Sequence, residues 1–193
     1  MECTLDGAPV SDSRPPYLER FIHGAVYATR PETTCVVHAH TEAVLPYTIT
    51  DVSLRPVVHD ASDIGSVIPR WDVRDEFGDA TDMLVRSQEM GMSLARALGD
   101  KNVVLMRGHG FTAAGRSLTM TVRMCVYLGR NARVQTIAAS MGEIVALTDG
   151  EIEARRAYDP DSPAMRRGWN AWAQRAGCGN LRNEQHRDGQ GSP

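Results

Sequence analysis

Apolar residues recur along this chain with two distinct periods. Leu18, Phe21, Ile22, Ala25 and Val26 fall on one helix face, and Pro15-Pro16 suit a first turn. The spacing therefore predicts an amphipathic helix over 16–29, ended by Pro31. Residues 34–38 are β-branched and apolar, the pattern of a buried strand, and Thr41 is placed to cap a second helix through about Ile49. Pro56, Gly65, Pro69 and Gly78 break up the next apolar pieces, so 51–78 reads as irregular structure with short strands. The pattern then predicts a helix over 81–98 stopped by Gly99, a strand over 103–106, a tight turn at 108–110 and a strand over 111–114. A long helix follows from Ser117 to about Met141, with apolar positions that include Leu118, Val122, Cys125, Val126, Val134 and Ile137. A hairpin end turning at Asp6-Gly7 precedes these elements. A last helix at 164–176, carrying Trp169 and Trp172, closes them. From Cys178 the chain is rich in Gly, Asn and Gln without period, which predicts one domain over 1–177 and a disordered tail over 178–193.

Composition narrows the class. The chain has 193 residues, 42% hydrophobic and 23% charged, with a net charge of −3. That suits one globular domain and gives no basic surface for nucleic acid or an anionic membrane. Cys3, Cys35, Cys125 and Cys178 form no CxxC spacing, so free thiols are expected. The start has neither a basic nor an apolar leader region and no run is long enough to span a bilayer, so a cytoplasmic location is expected.

Candidate chemistry centres on Val36-Val37-His38-Ala39-His40. Residues i and i+2 of a strand share a face, so both imidazoles can reach one ion. His109, in Arg107-Gly108-His109-Gly110, supplies a third candidate ligand. Three neutral imidazoles with an open position suit a catalytic divalent metal. Glu19, placed by the helical pattern on a polar face one turn before His23, is a candidate proton carrier, or simply a solvated partner of His23. His59, in Val57-Val58-His59-Asp60, is a looser candidate for a substrate cleft. Arg107 offers a fork that matches a carboxylate. Met83, Met90 and Met92 read as core filling.

Over about residues 4–145 the chain resembles the class II aldolase/adducin family. The resemblance rests on Glu19-Arg20-Phe21-Ile22-His23, Arg30-Pro31, His38-Ala39-His40 and Arg107-Gly108-His109-Gly110 in this order and spacing. It implies a three-layer α/β/α sandwich with a mainly antiparallel central sheet. It implies a divalent metal, zinc or manganese with cobalt or iron as further options, on His38, His40 and His109, and an acid/base role for Glu19. It also implies a homotetramer whose active sites lie between subunits. Sugar-phosphate members carry two serines immediately before the glutamate. Here Tyr17 and Leu18 stand there, which points to a non-phosphorylated substrate with Tyr17, His59 and Arg107 as candidate contacts. The family's N-terminal segment with its Gly-Asn phosphate loop is not matched, so the expectation is a family domain lacking that segment.

The wording of His23-Gly24-Ala25-Val26-Tyr27 and of residues 55–60 is similar to the decarboxylase branch, which acts on hydroxylated aromatic or pyridine carboxylates. A metal-dependent lyase that decarboxylates such a substrate is thus the leading expectation. Aldol cleavage, sugar-phosphate epimerisation and a non-catalytic adducin-like assembly role or inactive fragment are the alternatives.

Overall fold

Two apolar clusters lie on opposite faces of one four-stranded mixed sheet in the computed structural model, which describes residues 1–156 and 162–181. The strands are β1 (Cys35–Ala39), β2 (Arg70–Trp71), β3 (Val103–Met106) and β4 (Gly110–Gly115), in the order β1-β4-β3-β2. β4 pairs antiparallel with both β1 and β3, and β2 joins β3 in parallel. The sheet is therefore mainly antiparallel, as expected. Alternation assigns the faces. Val36, Val104, Met106 and Ala114 pack under α1 (Arg20–Thr29) and α4 (Gln88–Leu98). Val103, Leu105, Phe111 and Ala113 pack under α5 (Leu118–Ala139), with Tyr47 of α2 (Leu45–Ile49), its N-cap Val44, and Ala61 and Ile64 on a 3-10 helix, His59–Ile64. Helices cover both faces, giving three layers.

Local chemistry explains most boundaries. Ser87 and Ser117 cap α4 and α5 by accepting from the amides of Met90 and Met120. The chain between β1 and β4 also contains α3 (Arg74–Phe77), and α6 (Asp149–Arg156) follows α5. At the start, Cys3 and Pro9 form an isolated antiparallel bridge around the expected turn.

Several sequence expectations are corrected. α1 begins at Arg20, because residues 18–19 form a turn that carries Glu19. α2 begins at Leu45, with Pro46 in its first turn. Residues 81–87 are not helical. The Thr and Asp side chains there bind the local backbone, and the helix starts only after Ser87. α5 has the expected length, yet Leu118, Val126, Val134 and Ile137 point outward. Its core face is instead Thr121, Met124, Leu128, Asn131, Ala132 and Gln135. Asn131 and Gln135 are buried because they replace a strand partner for residues 53–58. Asn131 Oδ1 accepts from the Val57 amide at 2.7 Å, and Gln135 Oε1 accepts from the Arg55 amide at 3.0 Å.

A second unit begins at Ala157. It contains α7 (Pro163–Arg175), capped by Ser162, and Trp169 Nε1 donates to Leu181 O at 3.1 Å. Of the expected tail over 178–193, residues 182–193 lie outside the described residues. No helix among the described residues is long and apolar enough to cross a membrane.

Candidate metal centre

The sheet register explains how distant histidines meet. His38 follows Val36 by two residues, so its ring lies on the face covered by α1, toward Glu19. β1 ends where Ala39 pairs with Phe111, next to the β3–β4 turn that carries His109. Glycine is favoured on both sides of that turn residue and sterically forced at Gly110. Gly108 has φ +64°, and a Cβ on Gly110 (φ +153°) would stand 2.3 Å from Ala39 O. The three imidazole centroids lie 4.5–4.9 Å apart.

Glu19 sits at the N-cap position of α1, 3% exposed, which removes the alternative of a solvated partner for His23. Its carboxylate does not cap its own helix. Oε1 accepts from the Val85 amide at 3.1 Å. Oε2 accepts from the Tyr17 hydroxyl at 3.1 Å and lies 3.4 Å from His38 Nε2 and 3.6 Å from His109 Nε2. One ligand atom from each of Glu19, His38, His40 and His109 falls within 4.8 Å of every other.

The donor set fits a divalent cation. His38 Nδ1 lies 3.0 Å from Phe111 O, an acceptor only, so Nδ1 carries the proton and donates. Nε2 then keeps its lone pair toward the cluster, the outer contact that orients metal-binding histidines. Both ring nitrogens of His109 are buried without a well-formed hydrogen bond among the described residues, although the Met83 backbone lies close enough to interact with the ring. That is costly unless something else binds there. Metal–nitrogen bonds of about 2.0–2.1 Å put tetrahedral ligand atoms roughly 3.3 Å apart. The His38–His40 Nε2 separation of 2.9 Å is near that value, and the whole set of ligand atoms lies within 4.8 Å. Burial, opposed by the charge on Glu19, lowers the His38 imidazole from 6.5 to about 4, and burial lowers His109 too. Both are neutral, ligand-ready bases at pH 7. His40 is exposed, so the cluster opens to solvent on its side.

The weaker candidates divide. Tyr17 joins the site through Glu19. Burial first, then the Glu19 charge, raises its phenol, which stays a donor at neutral pH. His59 is not in the cluster. Its exposed ring faces Asp60 at 3.3 Å, and Asp60 also faces Arg123 and Arg155. Arg107 Nε lies 2.7 Å from Asp72 Oδ2, and the side chain lines an open cavity of about 420 Å³ with Thr48, Arg70, Trp71, Asp72 and Arg74. Its charge is engaged by Asp72, not held free for a ligand. All four cysteines are free, and burial pushes the Cys125 thiol up to about 12.

Sequence reading missed the Val85 amide. A backbone donor leaves no residue signature, although the Thr81-Asp82 pair and the cap at Ser87 mark where helix gives way to loop.

A model of the class II aldolase and adducin N-terminal domain matches residues 1–136. The chain is 36% identical over 196 aligned positions to the decarboxylase tropJ of Talaromyces stipitatus, covering 91% of this chain and 74% of that protein. It is 30% identical over 137 positions to the 3,4-dihydroxyphthalate decarboxylase of a Terrabacter strain, covering 70% of this chain and 56% of that relative. Among solved structures, L-fuculose 1-phosphate aldolase superposes with a TM-score of 0.67 at 23% identity, covering 79% of this chain and 68% of that one. That likeness shows the shared fold.

Proposed function

The chain belongs to the class II aldolase and adducin family, and from that premise we propose that it is a divalent-metal-dependent carbon–carbon lyase that decarboxylates a hydroxylated, non-phosphorylated aromatic or pyridine carboxylate. The observation that carries this reading is the convergence of three imidazoles and one carboxylate on a single point. The decarboxylase relatives support the choice of reaction, and the absence of a hydroxyl pair at Tyr17 and Leu18 supports a substrate without phosphate.

His38, His40 and His109 would hold the cation, and imidazoles accept zinc or manganese as well as cobalt or iron. When bound, such an ion supplies Lewis-acid character to the substrate's oxygens. The remaining steps fall to the chain itself. The ring carbon that bears the carboxylate first takes a proton, pushed by an ionised hydroxyl ortho or para to it that becomes a ring carbonyl. The bond to the carboxylate then breaks, CO2 leaves, and the electron pair returns through the ring to that oxygen, restoring the aromatic phenolate. Glu19 Oε2 shuttles the proton that the ring carbon gains, and the Tyr17 hydroxyl holds Oε2 in place. Tyr17, 58% exposed, also offers its ring face to an aromatic substrate. A cytoplasmic homotetramer with sites between subunits belongs to the same proposal, and light scattering tests its oligomeric part.

Metal analysis of the purified protein, with His38→Ala beside it, tests the centre. About one equivalent per chain is expected in the wild type and a small fraction of that in the variant. Equal, negligible metal in both removes the site. CO2 release from hydroxyphthalates, run against cleavage of short aldols, tests the reaction. Aldol cleavage without CO2 release overturns the decarboxylase reading.

A further inference from the structure

Residues 79–86 run as an irregular strap past the carboxylate of Glu19, and side chains set its course. The Met83 amide donates to Thr81 Oγ1 at 3.0 Å, and the Leu84 amide donates to Asp82 Oδ1 at 3.2 Å. Between these turns Met83 has φ +66°. Among the described residues it is the one non-glycine residue with positive φ. Methionine has no short polar side chain to offset that conformation, so the surroundings must impose it. The consequence lies two residues on. Val85 is fully buried and aims its N–H at Glu19 Oε1. The Met83 thioether also lies against Gly108, beside His109.

We propose that Met83 is a positioning residue. Its left-handed backbone turns the strap so that the Val85 amide fixes one oxygen of Glu19, leaving the other to face Tyr17, His38 and His109. A carboxylate's terminal torsion is broad and twofold, so a single hydrogen bond does not settle which oxygen faces the reaction. Productive geometry has to hold within about 0.5 Å, and the amide supplies the second constraint. The inference rests on the reading of Glu19 as the proton carrier.

Met83→Ile and Met83→Gly separate backbone from side chain. Isoleucine keeps the bulk but is β-branched and resists a positive φ, whereas glycine loses the thioether and accepts it. With each variant assayed fully metal-loaded, Met83→Ile is expected to lower kcat for CO2 release at least about tenfold, with KM within about twofold, and Met83→Gly to restore most of that loss. Equal loss in both variants, or a larger one in glycine, assigns the role to side-chain packing and overturns the proposal. Hydrogen exchange at the Val85 amide gives a readout independent of turnover. Exchange roughly tenfold or more faster is expected in Met83→Ile and in Glu19→Ala, and near wild-type exchange in Met83→Gly. An unchanged Val85 rate in Glu19→Ala overturns the strap–carboxylate bond whatever the activity. If the wild type releases no CO2, the reaction reading fails alone and the exchange data still decide this one.

Discussion

Replacing Gly110 by alanine probes how the β3–β4 turn delivers His109. The added Cβ would stand 2.3 Å from Ala39 O and 3.1 Å from His40 Cα, where real Cβ atoms stay beyond 3.0 Å. About 0.7 Å of separation must therefore be made, and the obstacle is backbone, not a flexible side chain. Ala39 and Phe111 are the last pair of the β1–β4 ladder, so the shift parts the His40 end of β1 from the turn that carries His109. Ligand geometry tolerates about 0.5 Å, and a misplacement near 1 Å costs about 100-fold in rate. Overpacking of this kind costs about 2 kcal/mol, or a fall in Tm of about 4–8 °C for a chain of this size. Gly108→Ala is the control. Gly108 also has positive φ, but its Cβ would meet nothing nearer than Met83 Sδ at 3.5 Å. It should cost only the left-handed alanine, about 1 kcal/mol and 2–4 °C, with metal binding retained. Scanning calorimetry and metal titration of both variants decide the matter. A Gly110→Ala protein that binds metal as tightly as wild type, or loses no more stability than Gly108→Ala, refutes the reasoning.

Asn131→Ala should destabilise by about 3–5 kcal/mol in urea unfolding, because it orphans the Val57 and Val58 amides and Arg55 O together. A loss below about 1 kcal/mol would mean that water replaces the side chain. Hydrogen bonds from Arg74, against burial and with Arg107 adding, hold the Asp72 carboxyl well below the usual carboxylate range. A depressed folded pKa adds stability that is complete above the unfolded value near 3.9 and is lost as pH falls through the folded one. The gap between wild type and Asp72→Asn should therefore be about 1 kcal/mol at pH 6, reduced because Arg74 is half in water, and should narrow steadily as pH falls below about 4. A gap that stays constant across that range removes Asp72 as the cause.

The site was more legible in the sequence than the elements around it. His-x-His on an apolar run carries its own geometry, because strand alternation forces both rings to one face. Gly108-His109-Gly110 carries a second constraint, since positive φ favours glycine at 108 and the Ala39 carbonyl leaves no room for a Cβ at 110. What hid was how Glu19 is held. The partners of its carboxylate are a hydroxyl two residues away and a backbone amide 66 residues downstream. The strap that brings the amide contains Met83, Leu84 and Val85, whose apolar character continues the pattern of α4. Hydrophobic period alone therefore extended that helix through 81–87. The competing preference, Thr and Asp side chains binding their own backbone, won because the buried carboxylate needed the amide that a helix would have spent on itself.

The polar inner face of α5 follows from the same bookkeeping of backbone partners. Residues 53–58 lie against this helix without belonging to the sheet, so their amides and carbonyls have no ladder to join. A buried N–H left open costs about as much as a hydrogen bond is worth. Asn131 and Gln135 close that account, each both accepting from and donating to the segment's backbone. Once two amides occupy the inner face, Leu128 and Ala132 fill the gaps between them, and the remaining apolar positions, Leu118, Val126 and Ile137, turn outward. Polarity thus assigns a helix face correctly where the helix packs on strands that satisfy themselves, as α4 does on β3. It does not assign the face where the helix must also act as hydrogen-bonding partner to an irregular segment. The sequence sign of that case is an Asn and a Gln four apart on a long helix, preceded in the chain by a Pro-broken apolar stretch.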